Sequence, residues 1–300
     1  MEIWLLLAFV APFLWALVTV IDVYFVDGVY QDEYDGAIIA GVFQSLVWLL
    51  ALFGVVGFTF PDPDASMWAF GSGVLWIVYT FFYFRTLFAY NDSVLMQVLG
   101  NISVLAVPFV AWFLLGERLE PIHYVGIGIA FVGVTIFSLD RTIAKGKFSD
   151  IAPPMILAVG ILSLSMVFGK RAYDLSDDFW SLFLLYCTGA VSVSVALLFS
   201  RLREARSRAV RIVRMSRKYF LVFALAESLA VVGTLASQRA ISLAPAVSFV
   251  AVIESLVPVF AMFLSLIFAY FLIKKGRTEL GQVYRNQLLG IRAKAFAVAL

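Results

Sequence analysis

The chain has 300 residues, 63% hydrophobic and 14% charged, with a net charge of +2 and a mean hydropathy of +0.97. A soluble domain is about 45–50% apolar and about 25% charged, so this composition cannot coat a water-soluble core with polar surface, and it equally excludes a disordered chain. With Cys187 the only cysteine and His123 the only histidine, a disulfide scaffold and a multi-histidine metal centre are excluded, and the small net charge gives no footprint for nucleic acid.

A helix needs about 20 apolar residues to cross roughly 30 Å of hydrocarbon. Such runs follow one another at 3–26, 37–59, 67–88, 93–115, 121–139, 151–173, 179–200, 219–240 and 245–273. They are apolar all round rather than alternating, which excludes a barrel and leaves an all-α, polytopic membrane helical bundle. The first run lacks a basic n-region and a small-residue cleavage site, so it reads as a retained span rather than a signal peptide.

Taken in chain order, the first span carries Pro12, Trp15 and, near its end, Asp22, read as a helix-end or pairing group. The third carries Trp76, Tyr79 and Tyr83 at i, i+3, i+7, an aromatic stripe that either packs or lines an apolar pocket. Arg85, late in the same span, reads as a side chain reaching for headgroups. On the fourth span Gln97 and Asn101 share one face, as cavity lining or as interhelical glue. His123 reads as locally hydrogen-bonded, the set Gly126, Ala130 and Gly133 as a close-packing face, and Cys187 as a small apolar filler. The basic run 201–218 reads first as a topology anchor, with a lipid-binding patch as the alternative.

The eighth span carries Glu227 and, late, Arg239; the ninth carries Glu254, Ser255 and Pro258. Ionisable groups inside a membrane are functional candidates by default. Counted from their connectors, Glu227 and Glu254 are each about 14 Å into their helices, placing two carboxylates at one depth. They are read as groups that share a proton or bind a cation, or as neutral packing groups. Residues 288–300 begin like a tenth span and are expected to be a helix cut short, with an interfacial segment as the alternative.

Lys and Arg fall unevenly: fifteen lie after odd-numbered spans and four (Arg118, Lys170, Arg171, Arg239) on the other side. The basic connectors are therefore expected to be cytoplasmic and the N-terminus outside, in a plasma (inner) membrane. A shift of 154 residues lays Arg85 on Arg239, Asn101 on Ser255 and Val104 on Pro258. With five helices per unit, the second copy must enter the membrane the opposite way up. The expected organisation is two inverted five-helix repeats, 1–140 and 141–300, ten helices in all.

The stretch LLGERLEP at 114–121 followed by YVGIGIAFVG at 124–133 resembles the end of the first repeat in EamA-type members of the drug/metabolite transporter superfamily. AISLAP at 240–245 through PVF at 258–260 is similar to the matching region of the second repeat, and FLWA at 13–16 with Ile21 and Asp22 to the first helix. The sequence departs from the pattern in lacking a Gly-Glu pair after the ninth span and in carrying Val104 where a proline is usual. The resemblance implies ten helices in inverted halves and passage of small metabolites.

The function expected is a secondary transporter, not an enzyme, moving a small amino-acid-like or amphipathic organic solute by alternating access. Its candidate contacts for solute or proton are Glu227, Glu254, Gln97, Asn101, Ser255, Trp76, Tyr79 and Tyr83. No cofactor or metal is expected; the partners are the solute, membrane lipids and protons as coupling ion, with oligomeric state open. The alternatives are a membrane-embedded lipid-modifying enzyme and a channel or scramblase. No zinc-binding His-Glu-x-x-His, no Gly-x-Ser-x-Gly elbow and no Walker loop occurs in the sequence.

Overall fold

The computed structural model describes residues 2–90, 102–138, 148–200 and 202–274. Within them the chain forms α1 (Ile3–Gly28), α2 (Glu33–Phe43), α3 (Val47–Leu52), α4 (Pro63–Tyr90), α5 (Ser103–Leu115), α6 (Pro121–Ser138), α7 (Phe148–Leu175), α8 (Phe179–Phe199), α9 (Leu202–Lys218), α10 (Phe220–Leu243), α11 (Val247–Glu254) and α12 (Val257–Lys274), with no strand among the described residues. Seven segments are long and apolar enough to cross a bilayer, and Ser103–Leu115 and Pro121–Gly133 are shorter apolar helices. These nine fall on the nine expected spans, so the chain is an integral, multi-pass helical membrane protein. Gln97, Asn101 and the expected tenth helix lie outside the described residues.

In hydrocarbon every backbone polar group must be satisfied within its own segment, which makes helix the only open choice for such runs. Their ends are set by local chemistry. Asp32 accepts from the backbone N–H groups of Tyr34 and Asp35 and caps α2; Asp178 accepts from Ser181 N and caps α8. Gly54 (φ 69°) and Gly116 (φ 68°) end their helices in the left-handed region, where glycine has no Cβ clash.

Two spans are interrupted where continuous helix was expected. The second passes through a 3-10 turn, Gln44–Leu46, between α2 and α3, and stops at Leu52 rather than 59. The ninth breaks between α11 and α12, at Ser255 and Leu256. Pro258 explains the second break, because it offers no N–H to the carbonyl of Glu254 and its ring crowds that carbonyl. α12 begins at Val257, 154 residues after the start of α5 at Ser103, the same spacing that relates Asn101 to Ser255.

α4 is the central helix, packed on α7 and α8, while α1 packs on α10, α11 and α12, α2 on α8, and α5 on α7. The α4–α8 crossing is a backbone contact. A Cβ at Gly73 would sit 1.8 Å from Tyr186 O, and one at Gly189 2.1 Å from Phe70 O, so only glycine allows the approach. The close-packing face expected on α6 is not found at Gly126, where an added Cβ meets nothing within 4 Å. His123 likewise departs from expectation. Its ring lies edge-on to Phe249 at 4.9 Å and Nδ1 is buried without a partner.

Remote contacts sort the connectors into two ends. At one end Thr59 Oγ1 donates to Asp178 (2.6 Å), Glu117 accepts from Val247 N and from Ser248 Oγ, and Lys170 Nζ donates to Ala244 O (2.8 Å) while pairing with Asp174. At the other, α9 docks on the start of α2: Arg211 Nη2 meets Asp35 Oδ1 at 2.6 Å and Asp32 Oδ2 at 3.0 Å, and the Arg208 guanidinium lies 4.4 Å over the Tyr34 ring. The run 201–218 is thus no bare anchor. From Leu202 on it is an amphipathic helix with Arg208 2% exposed.

Candidate functional site

A cavity of about 210 Å³ lies in the middle of the bundle, walled by α1, α2, α4, α5, α7, α8, α10, α11 and α12. Six of the eight candidate residues meet in its wall: Trp76, Tyr79, Tyr83, Glu227, Glu254 and Ser255. The other two, Gln97 and Asn101, lie outside the described residues. Ser103, the first residue of α5, and Pro258 near the start of α12 also face it.

The aromatic stripe on α4 forms one wall. Trp76 stacks on Trp15 of α1, ring centroids 5.5 Å apart; Tyr79 follows at 5.7 Å from Trp76, and Tyr83 at 6.4 Å from Tyr79. The Trp15 indole fits because α10 carries Gly233 opposite it: a Cβ there would sit 2.9 Å from Trp15 Nε1.

The carboxylates occupy two levels. Asp22 is the charged group that acts on Glu227, and both are buried, 8% and 7% exposed. Glu254, half-buried at the end of α11, has the Ser237 hydroxyl as its hydrogen-bonding neighbour. Ser237 is ten residues beyond Glu227 on α10, about 15 Å along the axis. Glu227 and Glu254 therefore line one cavity at different levels, not at one depth as expected.

Asp22, read from the sequence as a helix-end or pairing group, stands inside α1, which runs on to Gly28, and lines the cavity. Its signal was the general one, a carboxylate within a span. Gln44, Thr234, Gln238, Ser165 and Tyr186 are further polar lining groups not singled out by the sequence. Three polar atoms among these walls are buried without a partner: Trp15 Nε1, Tyr186 Oη and Glu254 Oε1. Buried polar groups are rarely left unpaired outside functional sites.

The two symmetric arginines stay out of this cavity. Arg85 is exposed, and Arg239 lies 4.7 Å over the Phe179 ring in a separate crevice that Asp177 and Asp178 also line. Cys187 is fully buried, its thiol 3.8 Å from Gln44 Oε1.

Comparison with known proteins adds three findings. No curated protein matches the chain. A crystal structure of a protein 20% identical in sequence is similar over 98% of this chain and 96% of that chain, with a TM-score of 0.59, a likeness of fold. Residues 2–139 match the EamA-like transporter family, a stretch that includes Trp15, Asp22, Trp76, Tyr79 and Tyr83 from the cavity and Glu117 from the end clamp. That family, matched here by residues 2–139 of the chain, is part of the drug/metabolite transporter superfamily of membrane transporters.

Proposed function

We propose that the protein is a secondary transporter that moves a small amino-acid-like or amphipathic organic solute by alternating access between two halves, 1–140 and 141–300, of opposite orientation. The observation that carries this reading is a central cavity, with three carboxylates and aromatic rings in its wall, at a break in a spanning helix. Discontinuous helices at a midplane site are a recurring construction of such carriers. The packing supports the halves: spans one and eight pair as do six and three, spans one and nine as do six and four, and span two meets span seven. Adding five to each span number exchanges these pairs.

Successive spans cross in alternate directions, so an odd unit of five helices inverts its copy. Basic connectors facing the cytoplasm in an inner or plasma membrane follow from charge bias, and α9 belongs to that side. Protons are the coupling ion, exchanged at Glu227 or Glu254, with lipids around the bundle.

The test is counterflow of labelled amino acids and amines in proteoliposomes, with and without a pH gradient, for the wild type and for Glu227→Gln, Glu254→Gln and the double variant. Saturable counterflow that loses its response to the gradient in at least one single variant is expected. Flux without counterflow indicates a pore, and flux unchanged in the double variant removes both carboxylates from the mechanism.

A further inference from the structure

We propose that the solute held in this cavity bears a net positive charge: a small organic ammonium ion with an apolar, ring-sized body. This rests on reading the cavity as the transport site. Among its described lining residues there are three carboxylates, Asp22, Glu227 and Glu254, and no Lys, Arg or His.

Basic side chains that the bundle buries or half-buries are engaged elsewhere. Lys170 is held by Ala244 O and Asp174, Arg239 by the Phe179 ring, and Arg211 by Asp32 and Asp35. An anionic group entering the cavity meets three carboxylates and no counter-charge, whereas a cation meets partners at both levels.

The walls fit the same ligand. The rings of Trp15, Trp76, Tyr79 and Tyr83 line the same cavity, and the faces of such rings attract ammonium groups. Glu254 Oε1, buried without a partner, is an acceptor that an N⁺–H donor satisfies. A metal ion is a poorer match: among the described residues no three His, Cys, Asp or Glu side chains stand close enough to hold one. About 210 Å³ is below the roughly 300–1,000 Å³ of drug-sized pockets, which points to a small amine.

The test uses one phenyl body with three charges: phenethylamine (cation), phenylalanine (zwitterion) and 3-phenylpropanoate (anion). Binding is measured by calorimetry and tryptophan fluorescence on the full chain in nanodiscs. The expected result is amine binding at least about tenfold tighter than the zwitterion, whose ammonium is the same but whose carboxylate meets an acidic lining without a counter-charge, with no binding of the anion. Glu254→Gln and Asp22→Asn are each expected to weaken the amine about tenfold.

Equal or tighter binding of phenylalanine or of the anion overturns the proposal. So does failure of phenethylamine and of butylammonium alike. The wild-type series decides even if a variant fails to fold. Counterflow of the same amine separates this inference from the transporter reading. Amine-selective binding without flux removes transport and keeps the cation site, while flux indifferent to charge does the reverse.

Discussion

Glu117 belongs to the connector after α5, yet it caps a helix more than a hundred residues away. Its Oε2 accepts the Val247 N–H at 3.1 Å and its Oε1 accepts the Ser248 hydroxyl. α11 has only eight residues, and its own N-cap, Ala246, has no side chain able to accept. Losing an N-cap costs about 0.5–2 kcal/mol, and losing a negative charge at a helix N-terminus adds about 0.3–1 kcal/mol. Glu117→Ala is therefore expected to destabilise by about 2 kcal/mol. Glu117→Gln retains one acceptor but turns an amide towards one of its two donors, and is expected to lose about half as much. Ser248→Ala should remove about 1 kcal/mol, the usual net worth of one hydrogen bond. In a Glu117→Ala/Ser248→Ala cycle the losses should fall short of their sum by roughly 1 kcal/mol. The assay is thermal unfolding in one detergent, where a kcal/mol moves the midpoint by about 2–4 °C, together with amide exchange over residues 247–250. Additive losses, or unchanged exchange at these amides, would refute the capping role.

On the opposite face, Arg211→Met strands Asp35, which is 0% exposed, and is expected to cost about 3 kcal/mol. Asp35→Asn in the same chain should recover most of it, and a double variant no better than the single in thermal unfolding contradicts the docking of α9. Gly233→Ala forces the Trp15 indole off its place against Trp76 and should alter the near-ultraviolet circular dichroism of that pair, with a stability loss of about 1–3 kcal/mol from overpacking; an unchanged spectrum contradicts it. At Asp178, burial raises the carboxyl, but hydrogen bonds from Ser181 and Thr59 outweigh it and hold it below its ordinary value of 3.8. A depressed carboxylate contributes stability that is present above its unfolded value and lost as pH falls through the lower folded one. The stability gap between wild type and Asp178→Asn should therefore narrow as pH falls from 5 to below 3.8, and a constant gap contradicts the assignment.

The spans were legible because hydrocarbon imposes one rule on every residue of a segment, so composition alone locates them. The acidic and aromatic cavity residues were legible for a related reason. Carboxylates at Glu227 and Glu254 are too costly in lipid to be placed idly, and a stripe at Trp76, Tyr79 and Tyr83 keeps its face whatever the packing. What periodicity could not give was distance across the bundle. Glu227 and Glu254 were each counted from the start of their own helix, and those helices start at opposite ends of the bundle, so equal counts do not give equal depths.

The partners of the basic residues were hidden for a deeper reason. Charge bias assigns Lys and Arg to a side of the membrane but says nothing about which of them turn inward. Arg208 and Arg211, three residues apart on one face of α9, are read by hydropathy as solvated, yet Tyr34 and Asp35 recruit them across 174 and 176 residues of sequence. Lys170 is recruited in the same way by the carbonyl that ends α10. Such pairings cost least at the bundle ends, where a long side chain can bury its stem and keep water near its head. An acidic residue has a shorter side chain and reaches no headgroup from mid-span, so once buried it must find its partner inside. That difference in reach separates the charges: the cations described here tie the ends together, and the carboxylates left in the centre face a space that only a proton or another cation can neutralise.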